Sequence, residues 1–260
     1  MKKSVLLLTF TALCITCNNS FAQNITFGLK GGCSIPNLTG GSSDNPLNTG
    51  YSSRLAGDGG IYGEYHMNKK FSVSVGLEYS AQGGLKDKFQ AFPTPSQLTA
   101  LGYETPYLYA DFKSEAKINY VIVPLLARYT WKMSKKSPVK IYMALGPFVG
   151  YLINAKQVTS GSSLYYLDAE KKIALPLPEQ SFDAVTGIKS DLNKLNAGIN
   201  GFVGISYSFD KKNALFIEGG GNYGFIPIQK GTVNGKNNTG AGVITLGYAY
   251  TFQKKYRARR

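Results

Sequence analysis

Apolar residues alternate with small or polar residues over most of this chain. The clearest example runs from Leu195 to Phe209, where Val203 and Ile205 belong to the apolar set. The residues between the apolar ones are small or polar, with Phe202 as the exception. Because successive side chains of a β-strand point to opposite faces, this pattern predicts strands with one face in an apolar medium.

Eight segments carry this alternation, and the connections between them differ in length. We predict strands at residues 24–33, 54–65, 70–82, 114–131, 138–152, 191–209, 214–225 and 239–252. The connections are short at residues 66–69, 132–137 and 210–213, and long at residues 34–53, 83–113, 153–190 and 226–238. Short turns at one end and long loops at the other are typical of outer-membrane barrels with both termini in the periplasm. The sequence therefore predicts an all-β fold, a closed antiparallel transmembrane β-barrel of eight strands.

Two long connections contain local patterns of their own. Residues 163–167 and 172–177 alternate as a β-hairpin does, which leaves ten strands as a minor alternative. Residues 94–97 (Thr-Pro-Ser-Gln) resemble a capping box with proline at the first helical position, and Gly102 is placed to end a short helix.

Charged residues of the predicted strands fall on the face of small side chains. They are Lys30, Asp58, Glu64, Glu78, Arg128 and Glu218. A soluble sandwich or lipocalin-like barrel would need its charges outside and its aliphatic side chains within, so this placement favours the membrane alternative. Buried charges persist only when paired, and Lys30 and Arg128 can face the three glutamates. Since side chains roughly fill an eight-stranded interior, we expect a largely plugged lumen rather than a diffusion pore.

The first 22 residues are expected to be a signal peptide. Lys2 and Lys3 precede an apolar run, and residues 20–22 (Ser-Phe-Ala) place small side chains at the two key positions of a cleavage site. Lipidation at Cys17 is the weaker alternative, because Ile15 and Thr16 are poor matches to the small residues that such a site prefers. We therefore divide the chain into a signal peptide (1–22), a barrel domain (23–252) and a basic periplasmic tail (253–260). The tail contains Lys254, Lys255, Arg257, Arg259 and Arg260.

Composition narrows the function classes. A net charge of +14 suits contact with anionic outer-membrane lipid, including lipopolysaccharide, whereas an exported chain would rarely meet nucleic acid. After the leader, Cys33 is the single cysteine and His66 the single histidine, so the sequence supports no disulfide, zinc site or other cofactor. His66 also lies beside the 66–69 turn, away from the outer rim where catalytic histidines of outer-membrane enzymes lie. We do not expect an enzyme.

A glycine-rich stretch and a group of loop aromatics each have two interpretations. Gly219, Gly221 and Gly224 match a dinucleotide-binding spacing, but Phe-Ile-Pro follows at residues 225–227 instead of a helix, which favours strand glycines. Function in a rigid scaffold concentrates in loops, and Tyr103, Tyr107, Tyr109 and Phe112 are candidate contact residues there. These aromatics can equally pack the loop on itself or lie at the lipid interface.

Three stretches of the mature chain resemble one known family. They are residues 28–32 (Gly-Leu-Lys-Gly-Gly), 76–80 (Gly-Leu-Glu-Tyr-Ser) and 118–126 (Ile-Asn-Tyr-Val-Ile-Val-Pro-Leu-Leu). Together they are similar to the PorT-like, porin-family outer-membrane β-barrel proteins of the Bacteroidetes, although Ile122 stands where that family has a glutamate. The resemblance implies a barrel fold in the outer membrane of the cell envelope, and most members have no assigned biochemical role.

The last predicted strand ends in a further recognisable pattern. Gly247, Tyr250 and Phe252 look like the final-strand signal that the outer-membrane assembly machinery reads. The hypothesis from the sequence is therefore an outer-membrane barrel with a binding or structural role through its extracellular loops. The alternative is a porin-like transport or secretion-accessory protein with an envelope protein as its partner.

Overall fold

The computed structural model describes residues 25–40, 45–134, 137–231 and 235–252. The predicted signal peptide and the basic tail lie outside these ranges. The strands in the described part of the chain are β1 (Ile25–Thr39), β2 (Ala56–His66), β3 (Phe71–Pro93), β4 (Tyr107–Lys132), β5 (Val139–Ser160), β6 (Ser162–Ser163), β7 (Gln180–Ser181), β8 (Ala184–Gly187), β9 (Leu195–Ser208), β10 (Asn213–Gly224) and β11 (Asn238–Phe252). One short α-helix (Ser96–Ala100) and two 3₁₀ turns (Pro46–Asn48 and Lys189–Asp191) complete the elements of these residues. None of the helices in these ranges has the length and apolar character needed to span a membrane.

Eight of the strands close into a ring. Their order is β4-β3-β2-β1-β11-β10-β9-β5, and β5 pairs with β4 to complete the circle. At the seam between the first and last strands, Ile25 pairs with Phe252 and Thr39 pairs with Asn238. A closed ring has no free strand edge, so its backbone N–H and C=O groups bond within the sheet, as a bilayer requires. The predicted eight-stranded antiparallel barrel is confirmed.

The outward face of the ring is an apolar band. On β4 the outward side chains are those of Val121, Val123, Leu125, Ala127, Tyr129 and Trp131. Residues of this face in other strands are also exposed, such as Val203 at 59% and Leu246 at 61%. Tilted strands of about 9–11 residues span the hydrocarbon core, which matches this run. Farther along β4 the outward positions are Lys117, Glu115, Lys113 and Asp111. The lipid-facing band therefore ends near Asn119.

Aromatic side chains mark the other edge of the band, beside the short turns. The rings of Phe71 and Tyr129 have centroids 4.6 Å apart, and Tyr129 and Trp131 are 4.5 Å apart. Aromatic girdles at the membrane–water interface are a general property of outer-membrane barrels. We call this the turn end of the barrel, which faces the periplasm in such proteins, and we call the opposite end the loop end.

Three adjacent strands continue past the band at the loop end. β3, β4 and β5 have 23, 26 and 22 residues, whereas β1 and β11 have 15 each. The predicted loops of residues 83–113 and 153–190 were therefore wrong in part, since β3–β4 pairing continues to Pro93 and Tyr107. The physical reason is that the outward face is charged here, so apolar side chains such as Leu108 and Phe112 lie on the inner face and the lipid-facing pattern stops. We call this three-stranded sheet, with β8 on the edge of β5, the extension.

The long connections contain only local structure outside the ring. Tyr166 forms isolated antiparallel bridges to Tyr109 and Ala174, so the hairpin alternative adds no strand to the barrel. The helix Ser96–Ala100 is present, and Gly102 follows it with φ +91. The proposed capping box was wrong, because the Thr94 hydroxyl donates to the Thr105 carbonyl and no side chain caps the helix.

We predict that Val203→Arg destabilises the barrel by about 2–4 kcal/mol, because the new charge lies in the hydrocarbon core. Urea titration of folding in lipid vesicles measures this change. Val185→Arg is the matched control, since Val185 is 69% exposed on β8 beyond the band, and it should stay within about 0.5 kcal/mol of wild type. Equal losses in both variants would contradict the assignment of the lipid-facing surface.

Candidate functional site: the lumen and its two ends

The predicted lumen charges lie on the inner wall, and five of the six form one network. Lys30 Nζ lies 3.0 Å from Glu78 Oε1 and 2.9 Å from Glu218 Oε1. Arg128 Nη1 lies 2.8 Å from Glu64 Oε2, and its Nη2 lies 4.0 Å from Glu218 Oε2. Glu218 thus joins the two cations, and the network links strands on opposite sides of the barrel.

Asp58 stands apart from this network. Among the described residues it has no ion pair within 4.0 Å, and its Oδ2 accepts no hydrogen bond. Its cross-strand partner is Ser80.

Glu218 also accepts a hydrogen bond of 2.9 Å from the Tyr142 hydroxyl. Because Glu64, Glu78 and Glu218 are all at most 4% exposed, loss of either cation would leave a carboxylate buried without its counter-charge, which is strongly destabilising.

Aromatic rings fill the lumen above and below these charges, each placed over a glycine. The cross-strand pairs are Tyr62–Gly28, Tyr142–Gly204, Phe148–Gly198, Phe202–Gly220 and Phe216–Gly247. A Cβ built on Gly204 would lie 2.3 Å from the Tyr142 ring, and one on Gly247 would lie 2.1 Å from the Phe216 ring. The missing side chain lets each ring lie along the wall, so large aromatics fit inside a narrow barrel.

The charged groups and the rings also contact each other. The Lys30 ammonium lies 4.7 Å from the Phe202 ring centroid, and the Arg128 guanidinium lies 4.2 Å from that of Tyr142. Cation–π contacts of this kind are stronger when desolvated. The sequence predicted the charges of the lumen but gave little sign of its aromatic rings, apart from Phe202 on the face of small residues.

Loop segments cover the loop end of the lumen. Lys86, 6% exposed and beyond the lipid band, donates to the Leu47 carbonyl at 3.0 Å, and burial lowers its pKa to about 8. Asn237 is fully buried and donates to the Asn48 carbonyl at 3.1 Å. These contacts hold two loops over an apolar cluster formed by Leu38, Ile118, Tyr120, Ile122, Phe148, Leu152, Ala155, Leu192 and Ile228.

The extension has an aromatic core of its own. It includes Tyr103 and Phe112 of the four predicted contact residues. Phe112 is 9% exposed and stacks on Phe182 with ring centroids 4.2 Å apart. Tyr109 stacks on Phe89 at 5.9 Å, Tyr103 packs on the cluster around Leu98, and Tyr107 is half-buried at the start of β4. Exposed apolar side chains in the connections next to the extension include Leu101 at 72% and Ile173 at 55%.

The turn end contains a cavity that the sequence analysis missed. It has a volume of about 900 Å³ and reaches from the short turns to Glu64, Arg128 and Tyr142 in the lumen. His66 lies on its wall, with Nε2 2.9 Å from Thr26 Oγ1. In the described residues, no group of three His, Cys, Asp or Glu side chains converges to hold a metal ion. The cavity combines positions from most strands of the ring, so no local sequence pattern marks it.

The residues of the final-strand pattern have distinct places. Gly247 faces the lumen beneath the Phe216 ring. Tyr250 and Phe252 face outward, 4.7 Å apart, and Phe252 also contacts Phe27 on β1 at 5.8 Å. The two aromatics therefore belong to the girdle at the turn end.

We predict that Gly204→Ala destabilises the barrel by about 1–3 kcal/mol, because the new methyl group overlaps the Tyr142 ring and forces it from its place. Urea unfolding measures the change. Gly219→Ala on neighbouring β10 is the matched control, because nothing lies within 4 Å of a Cβ there. A Gly204 variant as stable as the control would contradict the idea that these glycines make room for the lumen rings.

Comparison with known proteins gives one family and several similar structures. A sequence profile of the family described as "Outer membrane protein beta-barrel domain" matches residues 21–230. Among solved structures, Neisserial surface protein A is similar at 14% identity and a TM-score of 0.40, over 90% of this chain and 100% of that chain. OprG from Pseudomonas aeruginosa is similar at 12% identity and a TM-score of 0.37, over 90% and 97%. AlkL is similar at 13% identity and a TM-score of 0.40, over 93% and 96%. No curated protein sequence matches the chain. Since the profile covers most of its length, this chain belongs to the outer-membrane protein β-barrel domain family and is an integral protein of the outer membrane.

Proposed function

We propose that this protein is a closed, non-conducting barrel that acts by binding a ligand or partner through its loop end. The observation that carries the proposal is the extension, a sheet of paired strands above the lipid band on which the Phe112 and Phe182 rings stack. Binding residues of barrels concentrate in segments positioned by a rigid scaffold. The extension supplies such a surface without contributing to the ring that spans the membrane.

The lumen supports a binding role rather than transport. The network around Glu218, the rings above glycines and the cover formed by Lys86 and Asn237 occupy successive levels of the barrel. An eight-stranded interior is roughly filled by side chains in any case. We therefore favour binding over the porin-like alternative.

We do not propose an enzymatic role. His66 is the single histidine of the sequence and lies at the turn end, so the loop end has no histidine to act as a general base. The extension is rich in aromatic side chains that are packed against each other. Packed aromatic side chains of this kind are suited to binding rather than to catalysis.

Conductance tests the closed lumen. In planar bilayers, wild type should give no steady large-conductance steps, because side chains and ion pairs leave no continuous water column. A second variant removes residues 88–112 and joins Asp87 to Lys113, which are register partners, through Asn-Gly. It should still fold, shown by its heat-dependent mobility in electrophoresis, and should also stay closed. Reproducible open channels in wild type would contradict the closed barrel, and channels in the deletion alone would make the extension a plug.

Photo-crosslinking on intact cells tests which end binds. A photoreactive phenylalanine analogue replaces Leu101 at the loop end, and in a matched variant it replaces Met67 in a short turn. We expect adducts from the Leu101 position. We also expect adducts when the analogue replaces Ile173, and the deletion of residues 88–112 should prevent these. Adducts from Met67 alone would contradict loop-end binding and favour the secretion-accessory alternative. The absence of adducts at both positions would contradict a binding role.

A further inference from the structure

The turn-end cavity is lined by an excess of positive charge. Its cationic residues are Lys69, Lys70, Arg128, Lys132, Lys140, Lys211 and Lys212, and its acidic residues are Glu64 and Asp210. Both acids are already engaged. Glu64 is bonded to Arg128 and Ser72, and Asp210 accepts hydrogen bonds from Asn213 and from the backbone of Lys212, which hold its pKa below the usual range. On the cavity wall, cationic side chains therefore outnumber acidic ones by seven to two.

Two of these lysines lie directly opposite each other on neighbouring strands, where their like charges repel. Lys132 on β4 and Lys140 on β5 are direct cross-strand partners, and both line the cavity. Among the described residues, neither ammonium lies within 4.0 Å of a carboxylate. Like charges directly opposite each other destabilise a sheet. The chain retains this pair although it weakens β4–β5 pairing.

A second lysine pair between the same two strands differs, because a carboxylate lies beside it. Lys117 and Lys156 are also direct partners, on the outward face of the extension. There, Lys117 Nζ lies 3.1 Å from Glu115 Oε2, so the repulsion is offset locally. Lys132 and Lys140 also differ from lipid-anchoring residues, because they line the cavity inside the barrel mouth.

We propose that the turn-end cavity binds a ligand with two or more anionic groups, phosphates or carboxylates. The Lys132–Lys140 pair contacts the anionic groups, and Lys70 and Lys212 on other parts of the rim supply further charge. A volume of about 900 Å³ lies within the range of small-molecule sites, about 300–1,000 Å³. The floor contains the Tyr62, Tyr142 and Phe216 side chains, which offer apolar contact to the body of a ligand. This inference does not depend on loop-end binding, since the two sites lie at opposite ends.

Binding is measured by isothermal titration calorimetry on the full chain in an uncharged detergent, with tripolyphosphate and citrate as probes. Lys132→Gln with Lys140→Gln should weaken binding of the probes by at least about tenfold, because charge-assisted hydrogen bonds are lost. Lys117→Gln with Lys156→Gln removes the same charges from the same strands outside the cavity and should leave affinity unchanged. Equal affinity of wild type and the Lys132/Lys140 variant, or no heat of binding in wild type, would overturn the proposal.

Unfolding in urea without ligand separates a binding role from a structural one. Relief of the Lys132–Lys140 repulsion should keep the midpoint of the double variant at or above that of wild type. A lower midpoint would show that the lysines stabilise the fold and would count against the site.

Titration with monomeric dihexanoylphosphatidic acid distinguishes the source of the anion. If dihexanoylphosphatidic acid binds more tightly than tripolyphosphate, and the Lys132/Lys140 variant loses this binding, the ligand is a lipid headgroup. If it binds more weakly than tripolyphosphate, the ligand is a soluble anion.

Discussion

The structure depends on one geometric constraint, the narrow interior that results when eight strands close into a ring. Closure satisfies the backbone in lipid, but it leaves a narrow interior that the inward side chains must share. Two local solutions meet this constraint. Charges gather around Glu218, which serves both Lys30 and Arg128, and aromatic rings lie over glycines such as Gly204 and Gly247. Without both solutions, the lumen would contain either unpaired charges or overlapping side chains.

The two ends of the barrel meet this constraint differently. At the loop end, Lys86 and Asn237 anchor loops across the opening, and β3 to β5 continue outward as a sheet. At the turn end, the short turns leave the opening uncovered, and the cavity reaches inward to Arg128. The loop end is therefore covered by anchored chain segments, and the turn end is concave. Each end offers a different kind of surface to a partner.

The ring of strands and the inward position of the charges followed from the period of two, because lipid on one side makes the contrast between faces strong. The extension did not follow, since its outward face meets water and carries charges such as Lys117, so the lipid-facing pattern that marks the ring is missing there. The partners of Glu218, and the lack of an ion pair for Asp58 among the described residues, depend on the strand register, which the alternation of faces does not set. The turn-end cavity was hidden for the same reason: Lys132 and Lys140 are separated by a turn, and only the pairing of β4 with β5 places them opposite each other.

The glycine–aromatic pairs also bear on how this barrel can change during evolution. Because each ring occupies the volume that its partner's side chain would need, neither position of a pair varies freely. A descendant with alanine at position 204 requires a smaller residue at position 142, and a lost ring at position 216 releases position 247 to accept a side chain. The five pairs should therefore covary among relatives of this chain, with the pairs of Tyr62, Tyr142 and Phe216 changing together because their rings contact one another. Drift in sequence would then preserve the diameter of the barrel while replacing most of the atoms inside it.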